Sequence, residues 1–170
     1  VDDLIAAANY MKENLKAPKI MMGHSFGGTA VLGSASKIPG IKAVATIGAP
    51  FDPIHVQHNF SEHLEKINEE GEALVSLAGR SFNIQKQFID DIENQEMAKN
   101  ISNLGCALLV MHSPIDKTVN ITNARQIYET ARHPKSFISL DDADHLLMEN
   151  PADGTYVAKV LAAWVERYIK

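Results

Sequence analysis

Residues 20–30 read IMMGHSFGGTA. An apolar run bounded by Pro18 and Gly23 predicts a short buried strand. The small-residue stretch GGTAVLGSASKI (27–38) predicts a helix packed closely on a sheet, stopped by Pro39-Gly40. Between them, Gly23-His24-Ser25-Phe26-Gly27 fits G-x-S-x-G at a strand-to-helix turn. A turn that sharp pushes Ser25 into a strained backbone state and exposes its hydroxyl. Glycines at 23 and 27 are expected to remove β-carbons that would collide with the turn, and Gly28 to let the helix approach its neighbours. The helix N-terminus then aims N–H groups at developing negative charge.

Outward from this stretch, the chain alternates. Leu4, Ile5, Ala8, Met11 and Leu15 recur at three- and four-residue steps and predict an opening helix that Pro18 ends. IKAVATIGAP (41–50) is a second strand. CALLVMHS (106–113) is a third, almost free of polar residues until its end, as a parallel strand covered on both faces requires. NITNARQIYETAR (120–132) predicts a helix capped by Asn120 or Thr122. KSFISL (135–140) is the last strand, and DGTYVAKVLAAWVERYIK (153–170) a long helix with Val157, Val160, Leu161, Trp164, Val165 and Ile169 on one side. Strands alternating with helices define an α/β class with a parallel sheet.

Residues 52–103 break that alternation. They predict a polar helix ending at Gly71, a hairpin turning near Ala78-Gly79-Arg80, and one amphipathic helix over KQFIDDIENQEMAKNI (86–101). The expected organisation is one domain over 1–170, with a core of 1–51 and 104–170 and a helix–hairpin–helix lid insertion over 52–103.

Reactive residues of an open α/β sheet collect at the carboxyl ends of its strands. Beyond the Ser25 turn, the third strand runs into HSPIDKTV, with Asp116 in the following turn. The last strand runs into DDADHLL, which carries His145. Serine, then acid, then histidine is the chain order of one hydrolytic triad. Ser25 is a weak nucleophile alone, so His145 must take its proton, and an acid must hold the imidazole in the right tautomer. Asp116 is the best candidate; Asp141, Asp142 and Asp144 are its rivals. The N–H of Phe26, next after the serine, is the expected oxyanion donor. His24 and Phe51 are candidate substrate contacts at the strand ends.

The segments GHSFGG, VATIGAPFDP, HSPIDKTV, ARHPKSF and LDDADHLL, with VSLAGRSFNIQKQFIDDI between them, together resemble the α/β-hydrolase domain of bacterial proteins in which that domain is fused to an OsmC-like domain. The resemblance spans nearly the whole chain. It implies serine-hydrolase chemistry on Ser25, Asp116 and His145, with esterase or acyl-hydrolase activity on small-molecule esters. It also implies strands ahead of the opening segment, with a loop supplying a second oxyanion donor, often HGG-like; no such motif precedes Ser25 here. The expected fold is therefore an N-terminally truncated α/β-hydrolase. Its first strand would be an exposed sheet edge able to pair with a second copy into a homodimer. Thioester hydrolysis or acyl transfer would use the same residues, and a non-catalytic binding module is the alternative from another class.

Composition narrows the rest. The 170 residues are 45% hydrophobic and 22% charged with net charge −5, and no Lys/Arg block offers nucleic acid a footprint. Cys106 is the sole cysteine, in an apolar run, so a buried thiol in a reducing, cytoplasmic setting is expected. No stretch has the roughly 18 apolar residues of a membrane span, and the opening VDDLIAAANYMKENL lacks a basic signal region. His55, His58 and His63 have no partner at metal-ligand spacing, so neither a metal nor another cofactor is expected.

Overall fold

The structure is a computed structural model that describes residues 1–77 and 79–169, with His55 and Leu77 described by main chain alone. In chain order the elements are α1 (Asp2–Asn14), β1 (Ile20–His24), α2 (Phe26–Ser34), β2 (Ala43–Ile47), α3 (Leu64–Glu70), β3 (Glu72–Leu77), β4 (Arg80–Gln85), α4 (Lys86–Glu93), α5 (Met97–Ser102), β5 (Ala107–His112), α6 (Thr122–Thr130), β6 (Lys135–Ser139) and α7 (Pro151–Val165). They fall into two compact units, Val1–Phe51 with Glu96–Lys170, and Asp52–Gln95.

The first unit holds a parallel sheet in the order β1-β2-β5-β6. β2 and β5 are buried at every position, which is why AVATI and ALLVMH carry almost no polar side chain. Their side chains alternate between two layers. Val44, Leu108 and Val110 pack with Leu32, Ile101 and Ile127 on one face. Ala45, Ile47, Leu109 and Met111 pack with Val157, Leu161 and Trp164 on the other. β1 is an edge of the described sheet, and Met22 on it is 54% exposed.

Several features differ from the sequence expectation. In α1 only Ala8 is buried, while Met11 and, just past the helix, Leu15 are exposed, so the periodic stripe is wider than the surface it covers. The helix expected over 86–101 is two helices. Asn94 Nδ2 donates to the Asp90 carbonyl and Gln95 Nε2 to that of Asp91, so side chains end α4 by taking its last carbonyls. The chain then restarts as α5, whose Met97 and Ile101 are buried in the core of the first unit. The boundary of the inserted unit accordingly falls at Gln95. Cys106 is half-buried rather than fully buried, and burial still pushes its thiol up to about 11.

The second unit has its own apolar cluster of Phe60, Ile67, Ala73, Val75 and Ile89. β3 and β4 form an antiparallel hairpin with Leu77 opposite Arg80. Ala78, expected in its turn, lies outside the described residues; Gly79 has φ +77°. The polar helix expected from Pro53 is a run of 3-10 turns over Pro53–His63, broken at Phe60, before α3 ends on left-handed Gly71. Phe60 is 1% exposed, and seating that ring accounts for the break.

Among the described residues no helix is long and apolar enough to cross a membrane.

Candidate active site

The strands keep their ladder as they leave the sheet. The Ser25 N–H donates to the Ile47 carbonyl at 2.8 Å, the Gly48 N–H to Met111 at 3.0 Å, and the Leu140 N–H to His112 at 2.9 Å. These bonds set side by side the turn after β1, the end of β2, the loop after β5 and the loop after β6.

Ser25 has φ +52° and ψ −130°, outside the regions an L-residue ordinarily adopts. Such a state costs about 1–3 kcal/mol and persists only where neighbours over-determine it. A β-carbon on Gly23 would overlap the Gly27 backbone, and one on Gly28 would stand 2.5 Å from the β-carbon of Ala49. Gly27 itself has open space, which corrects the expectation that it relieves a clash. What is tight is the approach of the Gly23 α-carbon to the Gly27 backbone. The first turn of α2 closes with the Gly28 N–H donating to the Ser25 carbonyl at 2.8 Å. Phe26 opens that helix, so its N–H lies at the positive end.

The three residues expected to act together are hydrogen-bonded in series. His145 Nε2 lies 3.0 Å from Ser25 Oγ, and His145 Nδ1 lies 2.7 Å from Asp116 Oδ2. A carboxylate only accepts, so Nδ1 carries the hydrogen and the Nε2 lone pair faces the serine hydroxyl. Asp116 Oδ1 accepts the N–H groups of Thr118 at 2.8 Å and Val119 at 2.9 Å. Burial raises the Asp116 carboxyl, but the bonds from His145, Val119 and Thr118 outweigh it and hold the group below the ordinary aspartate value.

The rival acid has a different occupation. Asp144 accepts the N–H groups of Leu146, Met148 and Glu149, and these bonds lower its carboxyl. It shapes the loop that presents His145, in which Leu147 has φ +57°. Asp141 and Asp142 are exposed.

Other residues fix the same loops. Ser113 Oγ donates to the Asp141 carbonyl at 3.3 Å and ties the acid's loop to the histidine's. His112, fully buried, donates through Nε2 to the Val119 carbonyl at 2.8 Å and lies 3.7 Å from Asp116 Oδ2. Gly48 has φ +55°, and a β-carbon there would stand 3.3 Å from Asp116 Oδ2 and from His145 Nδ1 and Cε1. The signal for Gly48 in the sequence is slight: a glycine closing a β-rich run marks a close approach.

The candidate substrate contacts are engaged within the protein. The Phe51 ring packs on the core cluster that contains Val44 and Leu32, and its N–H donates to Asn123 Oδ1 at 3.0 Å. His24 Nε2 lies 2.6 Å from the His145 carbonyl. Among the described residues no group of three His, Cys, Asp or Glu is placed to hold a metal ion; the His55 side chain lies outside them.

A strained serine at a strand-to-helix turn, with an acid and a histidine on later strand ends, is the constellation of an α/β-hydrolase. No protein-family model and no curated protein matches the chain. Solved structures do. The esterase domain of a Rhodothermus marinus protein is 44% identical, over 99% of this chain and 69% of that one, with TM-score 0.83. An α/β-hydrolase, GrgF from Penicillium sp. sh18, matches 99% of this chain and 71% of its own at TM-score 0.74 and 15% identity. The Paleococcus ferrophilus monoacylglycerol lipase matches 96% and 74% at TM-score 0.70 and 17% identity. The chain belongs to the α/β-hydrolase family of esterase domains. Ester hydrolysis is the activity class to which these comparisons point.

Proposed function

We propose that this protein hydrolyses carboxylic esters of small acyl chains through an acyl-enzyme on Ser25. The observation that carries the reading is the run Ser25 Oγ–His145 Nε2 at 3.0 Å and His145 Nδ1–Asp116 Oδ2 at 2.7 Å, mounted on a serine with φ +52°. In this reading Ser25 Oγ attacks the ester carbonyl while His145 takes its proton. The Phe26 N–H stabilises the oxyanion. His145 then returns the proton to the departing alcohol. Water, deprotonated by His145, frees the acid and restores Ser25. Asp116 stays ionised throughout and stabilises the imidazolium. The lowered Asp116 carboxyl supports that role.

The test is a fluorophosphonate probe with p-nitrophenyl acetate turnover. Labelling and turnover that both vanish in Ser25→Ala are expected. Turnover retained by that variant overturns the assignment, and an unlabelled wild type favours a binding module.

A further inference from the structure

Two pockets lie away from the triad in the first unit. One is lined by Cys106, Arg132 and His133 and the other by Asp141, Asp142 and Asp153. Neither holds a buried, unpartnered polar side chain, so neither defines a ligand. The hydrogen bond of His24 carries more.

His24 ends β1 and immediately precedes the nucleophile. Its Nε2 lies 2.6 Å from the main-chain carbonyl of His145, across a sequence separation of 121 residues. A carbonyl oxygen has no hydrogen, so His24 must be the donor. The two imidazoles lie 4.9 Å apart, centroid to centroid, at 48°. His145 has to reach Ser25 and Asp116 at once, from a loop with no strand or helix of its own. Its side chain can satisfy both bonds only if its main chain is fixed relative to the serine. The His24 bond fixes it from the residue beside that serine. Gly48 bounds the imidazole where the ring meets Asp116.

We propose that His24 is a positioning residue: it anchors the backbone of the base to the nucleophile's own strand, and acts through His145 rather than by touching substrate. The proposal rests on the function given above. It assigns to the residue between Gly23 and Ser25 a task that a hydrogen-bond donor of the right reach can perform and an apolar ring cannot.

The experiment compares His24→Phe, which keeps a ring and loses the donor, with His24→Gln, which keeps an N–H donor and loses the ring. kcat and KM for p-nitrophenyl acetate are measured separately. The low-field proton resonance of His145 Nδ1–H, bonded to Asp116, is followed by NMR. His24→Phe is expected to lower kcat by about tenfold to a hundredfold, as a displacement of order 1 Å does. KM should stay within about twofold, and the low-field resonance should broaden or move upfield. His24→Gln is expected to keep most of kcat and the resonance. Should the phenylalanine not fold, His24→Leu removes the donor with less bulk.

A raised KM with intact kcat would make His24 a substrate contact and overturn the proposal. Equal losses in the glutamine and phenylalanine variants would overturn it too, as would an unchanged resonance in both. If wild-type protein turns over no ester, the proposed function fails, while the resonance still reports whether His24 sets the place of His145.

Discussion

Gly48 touches the His145–Asp116 pair: a β-carbon at this position would stand 3.3 Å from His145 Nδ1 and the same distance from Asp116 Oδ2. That space is tighter than nine in ten real β-carbon contacts, and the residue's φ of +55° adds strain for any other side chain. Gly48→Ala should therefore lower kcat for p-nitrophenyl acetate by about tenfold or more with little change in KM. Its stability should fall by about 1–2 kcal/mol, the cost of a left-handed L-residue. Urea unfolding beside steady-state kinetics measures both. An alanine variant with wild-type kcat would mean that the pair shifts freely.

The two aspartates of this site should separate cleanly. Asp116→Asn removes the charge behind the imidazole and lets the amide favour the wrong tautomer, so kcat should drop by about three to four orders of magnitude. Asp144→Asn loosens a loop held by three main-chain N–H groups and should cost far less, about tenfold. Side-by-side kinetics decide; a larger loss in the Asp144 variant would reverse the roles.

The glycines of the serine turn should not behave alike. Gly23→Ala sets a β-carbon into the backbone of Gly27 and should destabilise by more than about 2 kcal/mol or prevent folding. Gly27→Ala enters open space inside α2 and should raise stability by up to about 1 kcal/mol. Thermal denaturation of the pair tests this ordering.

Acid should destabilise the protein through Asp116. Its carboxyl sits below the ordinary value when folded, so the unfolded chain binds the proton more readily. The resulting stabilisation is complete above the unfolded value of about 4 and drains away as pH falls through the lower folded value. Urea midpoints measured from about pH 6 down to pH 3 should fall less steeply for Asp116→Asn than for wild type. Identical slopes would show that other carboxylates govern the acid limb.

Much of this was legible in the residues because local rules and global fold agree. The runs ending at Ile47 and His112 are apolar because their strands are covered, and the runs ending at His24 and His112 lead straight into Ser25 and the turn that carries Asp116. What stayed hidden depended on contacts between distant segments. Nothing near Gly27 in sequence shows that the crowded partner is Gly23, and His24 reads as a pocket residue until the carbonyl of His145 is seen against it. The break between α4 and α5 was concealed because Asn94 and Gln95 are tolerable helix residues. Their side chains end the helix only because Met97 and Ile101 belong to another core.

Ser25 and His145 are 120 positions apart, and the strands that carry their loops meet through β2 and β5, which pair across the whole inserted unit. Synthesis makes the serine turn before the base. In the proposed mechanism the serine lacks its base until β5, and then β6 with the following loop that carries His145, have paired into the sheet. The inserted unit, with an apolar cluster of its own, can collapse during that wait and shorten the loop that must close. On that mechanism, a copy in which β6 has not paired would turn over no ester. Turnover, on the proposed mechanism, would then report completed folding, because it needs the β5–β6 pairing as well as the earlier ones.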